Sequence, residues 1–230
     1  MQDIVRTPLG RRQLLTAGAA ALPLILLPGC ASMGGVSLTE AIRRLLSLSS
    51  QRAFATLIAP NGFLDSSVAR INLPPQLGGD GATSLLAALL RSGPVKDRLV
   101  KQVNRAAEKG AEIAAPMVAD AITSVSIADA AAIVRGGPTA ATDLLQAAMG
   151  EALFTAMIPG VDQGLRLFDS AVVNDALRVA TGIDFAGLTR DVSGRASRAI
   201  YRAIGTEESA IRANPQATND PLLIAVFGIL

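Results

Sequence analysis

The chain has 230 residues, no histidine, no tryptophan, one cysteine and a formal charge of +2. Without histidine it lacks the commonest general base and the commonest metal ligand, which excludes Ser-His-Asp and Cys-His catalysis and His-built zinc sites within this chain. One cysteine forms no internal disulfide, and beyond residue 29 acidic and basic residues balance, so there is no basic stripe for nucleic acid.

Residues 1–29 have the zones of an export signal. Arg6, Arg11 and Arg12 form a basic start, Leu14 to Leu27 an apolar run, and small residues follow at Gly29 and Cys30. A span of lipid needs roughly 20 apolar residues, and this run is shorter and holds Pro23. Leu27-Pro28-Gly29-Cys30 resembles the lipobox of bacterial lipoproteins, with Pro28 the less usual residue. The resemblance implies that the Cys30 thiol receives a diacylglycerol, that cleavage precedes it, and that acyl chains anchor the protein to a membrane. Ala31 after the cysteine resembles outer-membrane sorting, so the expected place is the inner leaflet of the outer membrane, facing the periplasm. Arg11-Arg12 ahead of an Ala-rich stretch resembles a twin-arginine signal, although Gly10 and Leu14 depart from that pattern. The expected organisation is a signal over 1–29, a lipidated linker over 30–36 and one α-helical domain over 37–230.

Ser37-Leu38-Thr39-Glu40 matches a capping box and predicts a helix to about Ile58, stopped by Pro60-Asn61-Gly62. Residues 61–79 carry no helical period. Phe63, Leu64, Val68, Ile71 and Leu73 are too apolar for a solvated linker, so the segment is expected to strap onto the domain. Phe63 and Arg70 are the candidate edge of a binding site, with Arg70 offering a fork of donors to an anion. Gly78-Gly79-Asp80-Gly81 lacks the lysine of a phosphate loop and reads as a turn before a helix over Thr83–Arg91.

Pro94 opens the clearest helix. Leu99, Val103, Ala106, Gly110, Ile113 and Met117 form its apolar stripe, and Arg98, Lys101, Arg105, Glu108 and Glu112 another face. Pro116 is expected to kink or end it. Glu108 and Glu112 share a face, but paired carboxylates in bundles hold metal with histidine partners, so weak surface ion pairs are the expectation. Ser126-Ile127-Ala128-Asp129 starts a helix to Arg135, and Gly136-Gly137-Pro138 ends it. Further helices are expected over 139–157, 161–180, 184–204, 206–213 and 219–228. The seven aromatic residues are spread thinly and read as core. The fold class is all-α: a bundle of mostly short, antiparallel, amphipathic helices with one long irregular loop.

The segments Asn61-Gly62-Phe63-Leu64, Val68 to Pro74, Asn104 to Glu108 and Ser126 to Ala130 resemble a family of bacterial lipoproteins known as domain of unknown function 4197. Ala141-Thr142, Glu207-Glu208, Ile211 to Pro215 and Leu222 to Gly228 fit it too, over nearly all of the chain beyond the signal. Asp143-Leu144-Leu145-Gln146 departs from the aromatic and basic stretch of the family. The resemblance implies an α-helical lipoprotein domain and supplies no activity or catalytic residue. The expected role is a non-catalytic interaction or structural module of the envelope, with a carrier of an apolar ligand inside the bundle as the alternative. No catalytic residue, no metal and no cofactor beyond the lipid on Cys30 is expected. The expected partners are the membrane, through that lipid, and a protein or apolar ligand.

Overall fold

A computed structural model describes residues 29–73, 93–166 and 184–228. Eight α-helices run through them: α1 Gly29–Ile58, α2 Gly62–Asp65, α3 Gly93–Ser124, α4 Ala130–Val134, α5 Ala140–Met149, α6 Ala152–Leu165, α7 Phe185–Ala213 and α8 Pro221–Phe227. A 3₁₀ turn, Pro215–Thr218, lies before α8. No strand occurs among the described residues, and the protein is the all-α bundle its periodicity predicts.

Six boundaries differ from expectation. The stretch over 61–79, expected to hold no helix, opens with the single turn of α2. Helix α6 runs through Pro159, across the break expected at 158–160; the carbonyl Pro159 leaves without a donor belongs to Thr155, which is exposed. Helix α1 does not begin at the Ser37 capping box; it starts at Gly29 and includes the 30–36 linker. No proline interrupts 29–36, so amides after Ser37 find helical carbonyls four residues back and need no cap. Helix α3 continues through Pro116 to Ser124. The carbonyl that Pro116 leaves without a donor belongs to Glu112, which is exposed, so water can satisfy it. The helix expected over 139–157 breaks at Gly150, whose φ of 50° is cheap only for glycine, and α5 and α6 meet there at 76°. The pieces expected over 184–204 and 206–213 are one helix, because Gly205 stays helical with its α-carbon facing Thr139. The helix over Thr83–Arg91, the turn at Gly78–Gly81 and residues 167–180 lie outside the described residues.

The core is built on the pairing of α3 with α6. The two run antiparallel: Gly110 meets Met157 and Val161, Gly160 meets Lys109 and Gly110, and Gly164 meets Ala106. A Cβ on Gly160 would lie 2.6 Å from the Lys109 carbonyl oxygen, and one on Gly164 2.6 Å from the Ala106 Cα. The backbones therefore approach as closely as small residues allow, and Gln102 Nε2 donates to Gly164 O at 2.7 Å across the contact. The buried stripe of α3 continues from Val103, Ala106 and Gly110 through Ala111, Ala114, Val118 and Ile122. Ile113 and Met117, expected on that stripe, are 44% and 40% exposed, because the seam follows the small residues and not the large ones. Around this pair pack Ile42, Leu45, Leu46 and Leu57 of α1 and Val192, Ile200 and Ile204 of α7, all essentially without exposed surface. No single described helix is long and apolar enough to cross a membrane.

Gly160→Ala tests the close approach. A methyl there gains about 1 kcal/mol of helix propensity but overpacks against fixed backbone at about 1–3 kcal/mol. The expected outcome in a denaturant melt is a net loss of about 1–2 kcal/mol. Gly137→Ala, with nothing within 4 Å, should stay within about 0.5 kcal/mol of the parent.

Candidate functional site

The segment after α2 is an ordered strap. Asn104 of α3 is fully buried; its Oδ1 accepts from Ile71 N at 2.9 Å and its Nδ2 donates to Ile71 O at 2.8 Å. One amide side chain thus pairs with the backbone as a neighbouring strand would. Phe63, Ala69 and Ile71 go into the core and Leu73 packs against it. Phe63 has no exposed surface and cannot face a ligand, so it is not a site edge: its ring is needed under α2. Arg70 is exposed, as expected, with no side-chain partner among the described residues. The strap residue that reaches a groove is Val68, 38% exposed, whose carbonyl accepts from Arg202 Nε at 3.1 Å.

At the far end of α7 a buried ion pair holds four elements. Glu208 has no exposed surface and pairs with Arg212 Nε at 2.8 Å. Its carboxylate accepts from Ala141 N at 3.0 Å, Thr142 N at 2.7 Å and Thr142 Oγ1 at 2.6 Å. Thr139, the N-cap of α5, makes no capping bond of its own, so Glu208 caps that helix from a distance. Arg212 donates to the carbonyls of Val134 at 3.0 Å and Ile133 at 3.1 Å, at the end of α4, and lies 4.8 Å from the Phe227 ring centroid. An anion at a helix start and a cation at a helix end both match the helix dipoles.

Along α7 and against α5 and the start of α6 runs an open groove. Its wider half, about 760 Å³, is bounded by Val68, Thr142, Gln146, Arg202, Gly205 and Ala210 among others. Its narrower half, about 440 Å³, is bounded by Glu151, Phe154, Arg190, Gly194 and Ser197. Gln146, Arg198 and Tyr201 border both. The α7 residues lining it span Arg190 to Ala213, about 35 Å at a helical rise of 1.5 Å. Tyr201 ends a row of hydroxyls at four-residue spacing, after Thr189, Ser193 and Ser197. Thr189 Oγ1, Ser193 Oγ and Tyr201 Oη are buried without a hydrogen-bond partner. Burial, and after it the nearby charge of Glu151, pushes the Tyr201 phenol up to about 12, so it keeps its proton at neutral pH.

A protein family described as "protein of unknown function (DUF4197)" matches residues 32–228. The chain belongs to this family. No curated protein and no solved structure matches it. The segments that carry the resemblance to the family meet one another here. Glu208 holds Ala141-Thr142, Asn104 holds Ile71, and Glu108 faces Asn61 and Phe63.

The glutamates of α3 part company. Glu112 is exposed and pairs with Lys109 at 2.7 Å, the expected surface ion pair. Glu108 is half-buried and its Oε1 has no partner. Burial pushes its carboxyl above the ordinary range and Asp65 adds to this; the N–H of Phe63, the charge of Arg105 and the N–H of Asn61 pull it back only in part. Among the described residues no group of three or more Cys, Asp or Glu side chains is placed to hold a metal. Arg11, Arg12 and Leu27 lie outside the described residues, and Gly29 and Cys30 begin the backbone of α1.

Two outcomes follow from these geometries. Removing one partner of a buried, hydrogen-bonded ion pair costs about 3–5 kcal/mol, whereas an exposed pair contributes about 0–1. Glu208→Ala is therefore expected to lose several times the stability lost by Glu112→Ala in urea melts, with the α5 start losing amide-exchange protection first. The folded Glu108 holds its proton above the ordinary value near 4.5, where the unfolded chain has released it. Stability should then fall as pH rises from 4.5 through the raised value. Glu108→Gln should flatten that slope in melts taken across the same range.

Proposed function

We propose that this protein is a lipid-anchored envelope module, attached through Cys30 and facing the periplasm, that works by binding and not by catalysis. The reading rests on the Leu27-Pro28-Gly29-Cys30 motif for the anchor and on the groove along α7 for the binding. The groove is the observation that carries it. Leu145, Leu153, Met157, Val161 and Ile200 are buried without exposed surface, so the bundle is filled where they meet. Both halves of the groove open at the surface instead. A carrier that encloses an apolar ligand needs the reverse arrangement, a hollow of roughly 300–1,000 Å³ inside the bundle.

The anchor is tested by Cys30→Ala, which should leave an uncut precursor that fails to partition with the outer membrane. Normal cleavage and partitioning of that variant would remove Cys30 as the anchor. If export runs by the twin-arginine route, Arg11→Lys with Arg12→Lys should block it although charge is kept; normal export would point to the general secretion route. The binding face is tested in intact cells with a photo-crosslinking residue at Gln146, inside the groove. It should capture a defined envelope component that the same residue at Glu112, outside the groove, does not. Equal capture at both positions, or none, would remove the groove from the reading.

A further inference from the structure

Helix α7 carries five arginines, and their neighbours four residues back divide them into two groups. Arg195 follows Asp191 and pairs with it at 2.8 Å; Arg212 follows Glu208 and pairs with it at 2.8 Å. The same spacing pairs Arg44 with Glu40 and Arg166 with Asp162 on other helices. Arg190, Arg198 and Arg202 have Ala186, Gly194 and Arg198 at that place. These three are the arginines of α7 that line the groove. Arg198 and Arg202 stand one turn apart, so like charges face each other on the helix surface, an unfavourable pair in isolation. Arg202 uses its Nε on the Val68 carbonyl, and Arg198 has no partner among the described residues.

Tyr201 lies between them in sequence and borders both halves of the groove. It is 5% exposed, and its hydroxyl has no partner. A buried donor left unpaired is costly, and it is relieved by any acceptor that reaches it. Gly194 has no side chain to set against Arg198: a Cβ there would lie in ordinary contact with Arg198 Nη1, at 3.5 Å, and with the Phe154 ring, at 3.9 Å. Where the paired arginines have a carboxylate of their own helix, this one has none. Gln146 and Arg198, which border both halves of the groove beside Tyr201, are exposed and without side-chain partners among the described residues, so both side chains are free to change rotamer.

We propose that Arg198, Arg202 and Tyr201 form an anion subsite that takes the carboxylate or phosphate group of a ligand whose apolar body lies in the wider half of the groove, by Val68 and Ala210. The inference rests on the groove being a binding face, and it names the class of ligand. The guanidinium fork of Arg198 matches two oxygens of such a group, and Tyr201 donates to one of them. The phenol, pushed up to about 12, is a neutral donor at working pH and does not repel the anion. Glu151, whose charge already acts on the Tyr201 phenol, and Asp143 border the groove as well, so the attraction for the anion comes from the guanidinium groups of Arg198 and Arg202.

The chain has one tyrosine and no tryptophan, so its ultraviolet emission reports Tyr201 directly. The experiment uses the full-length protein in phosphatidylcholine vesicles and titrates hexyl phosphate, hexanoate, inorganic phosphate and, as the neutral control, hexanol. A saturable change in Tyr201 emission with hexyl phosphate or hexanoate, and not with hexanol, is expected. In calorimetric titrations, Arg198→Gln should weaken binding about tenfold or more, as loss of a charge-assisted contact does. Tyr201→Phe should weaken it by a smaller factor, and Arg166→Gln, outside the groove, should leave it unchanged. Replacing part of the phosphatidylcholine with phosphatidylglycerol separates the sources of the anion. Competition by that lipid identifies a headgroup; unchanged affinity identifies a free ligand. Each variant's melting temperature should match the parent, which keeps a binding loss from being an unfolding loss. Binding of hexanol as tight as that of the anions, indifference to Arg198→Gln, or no anion binding would overturn the proposal. If Gln146 still crosslinks a component in cells, only the ligand class falls; if it does not, the binding face falls with it.

Discussion

Four elements at one end of the bundle converge on the buried pair of Glu208 and Arg212. A carboxylate with no exposed surface is costly unless every oxygen is used, and here the two oxygens receive two amides, a hydroxyl and a guanidinium. The arginine is used as fully, on two carbonyls, the carboxylate and an aromatic ring. Neither α4, with five residues, nor α5, with ten, is long enough to be stable alone. Their facing ends are fixed by charges carried on α7, a helix of 29 residues. The short helices thus take their positions from the long one.

That arrangement also sets the groove. Thr142, which gives its amide and hydroxyl to Glu208, is a wall of the wider half, and Gly205 is its floor. A Cβ on Gly205 would lie 3.0 Å from Thr139 Cγ2, so the wall stands as near the floor as glycine permits. On the opposite side the strap supplies Val68, and the strap is held by Asn104. Both rims therefore hang on buried polar side chains with all their hydrogen bonds made. Such networks fix one geometry, because any other leaves a buried group unpaired.

The fold class was legible because helical spacing of apolar residues survives without knowledge of partners. The strap was legible for a similar reason: Phe63, Ile71 and Leu73 are too apolar to be left in water, and they are not. What could not be read was which face of each helix meets which neighbour. On α3 the large residues Ile113 and Met117 mark the expected seam, yet α6 approaches so closely at Gly160 and Gly164 that only Ala and Gly fit between. Glu208 was missed as a buried group because a glutamate four residues before an arginine is an ordinary surface pattern. A signal was present nonetheless: Glu208 stands four residues after Ile204 and three before Ile211, on the face both bury. Asn104 shows the same placement between Val100 and Ala107. Phe63 failed as a site edge for the complementary reason, since an aromatic ring in a strap is worth more under the strap than on it.

Polar residues on α7 consequently serve two separable ends. Glu208 and Arg212 are buried or nearly so and bonded to backbone, so changing them acts on stability first. Arg190, Arg198 and Arg202 are exposed and make at most one bond, so changing them has little of the fold to disturb. Tyr201 belongs partly to each set: its ring is packed with the core, and its hydroxyl is bonded to nothing. Removing that hydroxyl keeps the packing and discharges an unpaired polar group, which on stability grounds alone is neutral or favourable. A tyrosine kept here for packing gains nothing from its oxygen. An acceptor in the groove, whether water or a ligand's oxygen, would supply the hydrogen bond that its own chain does not.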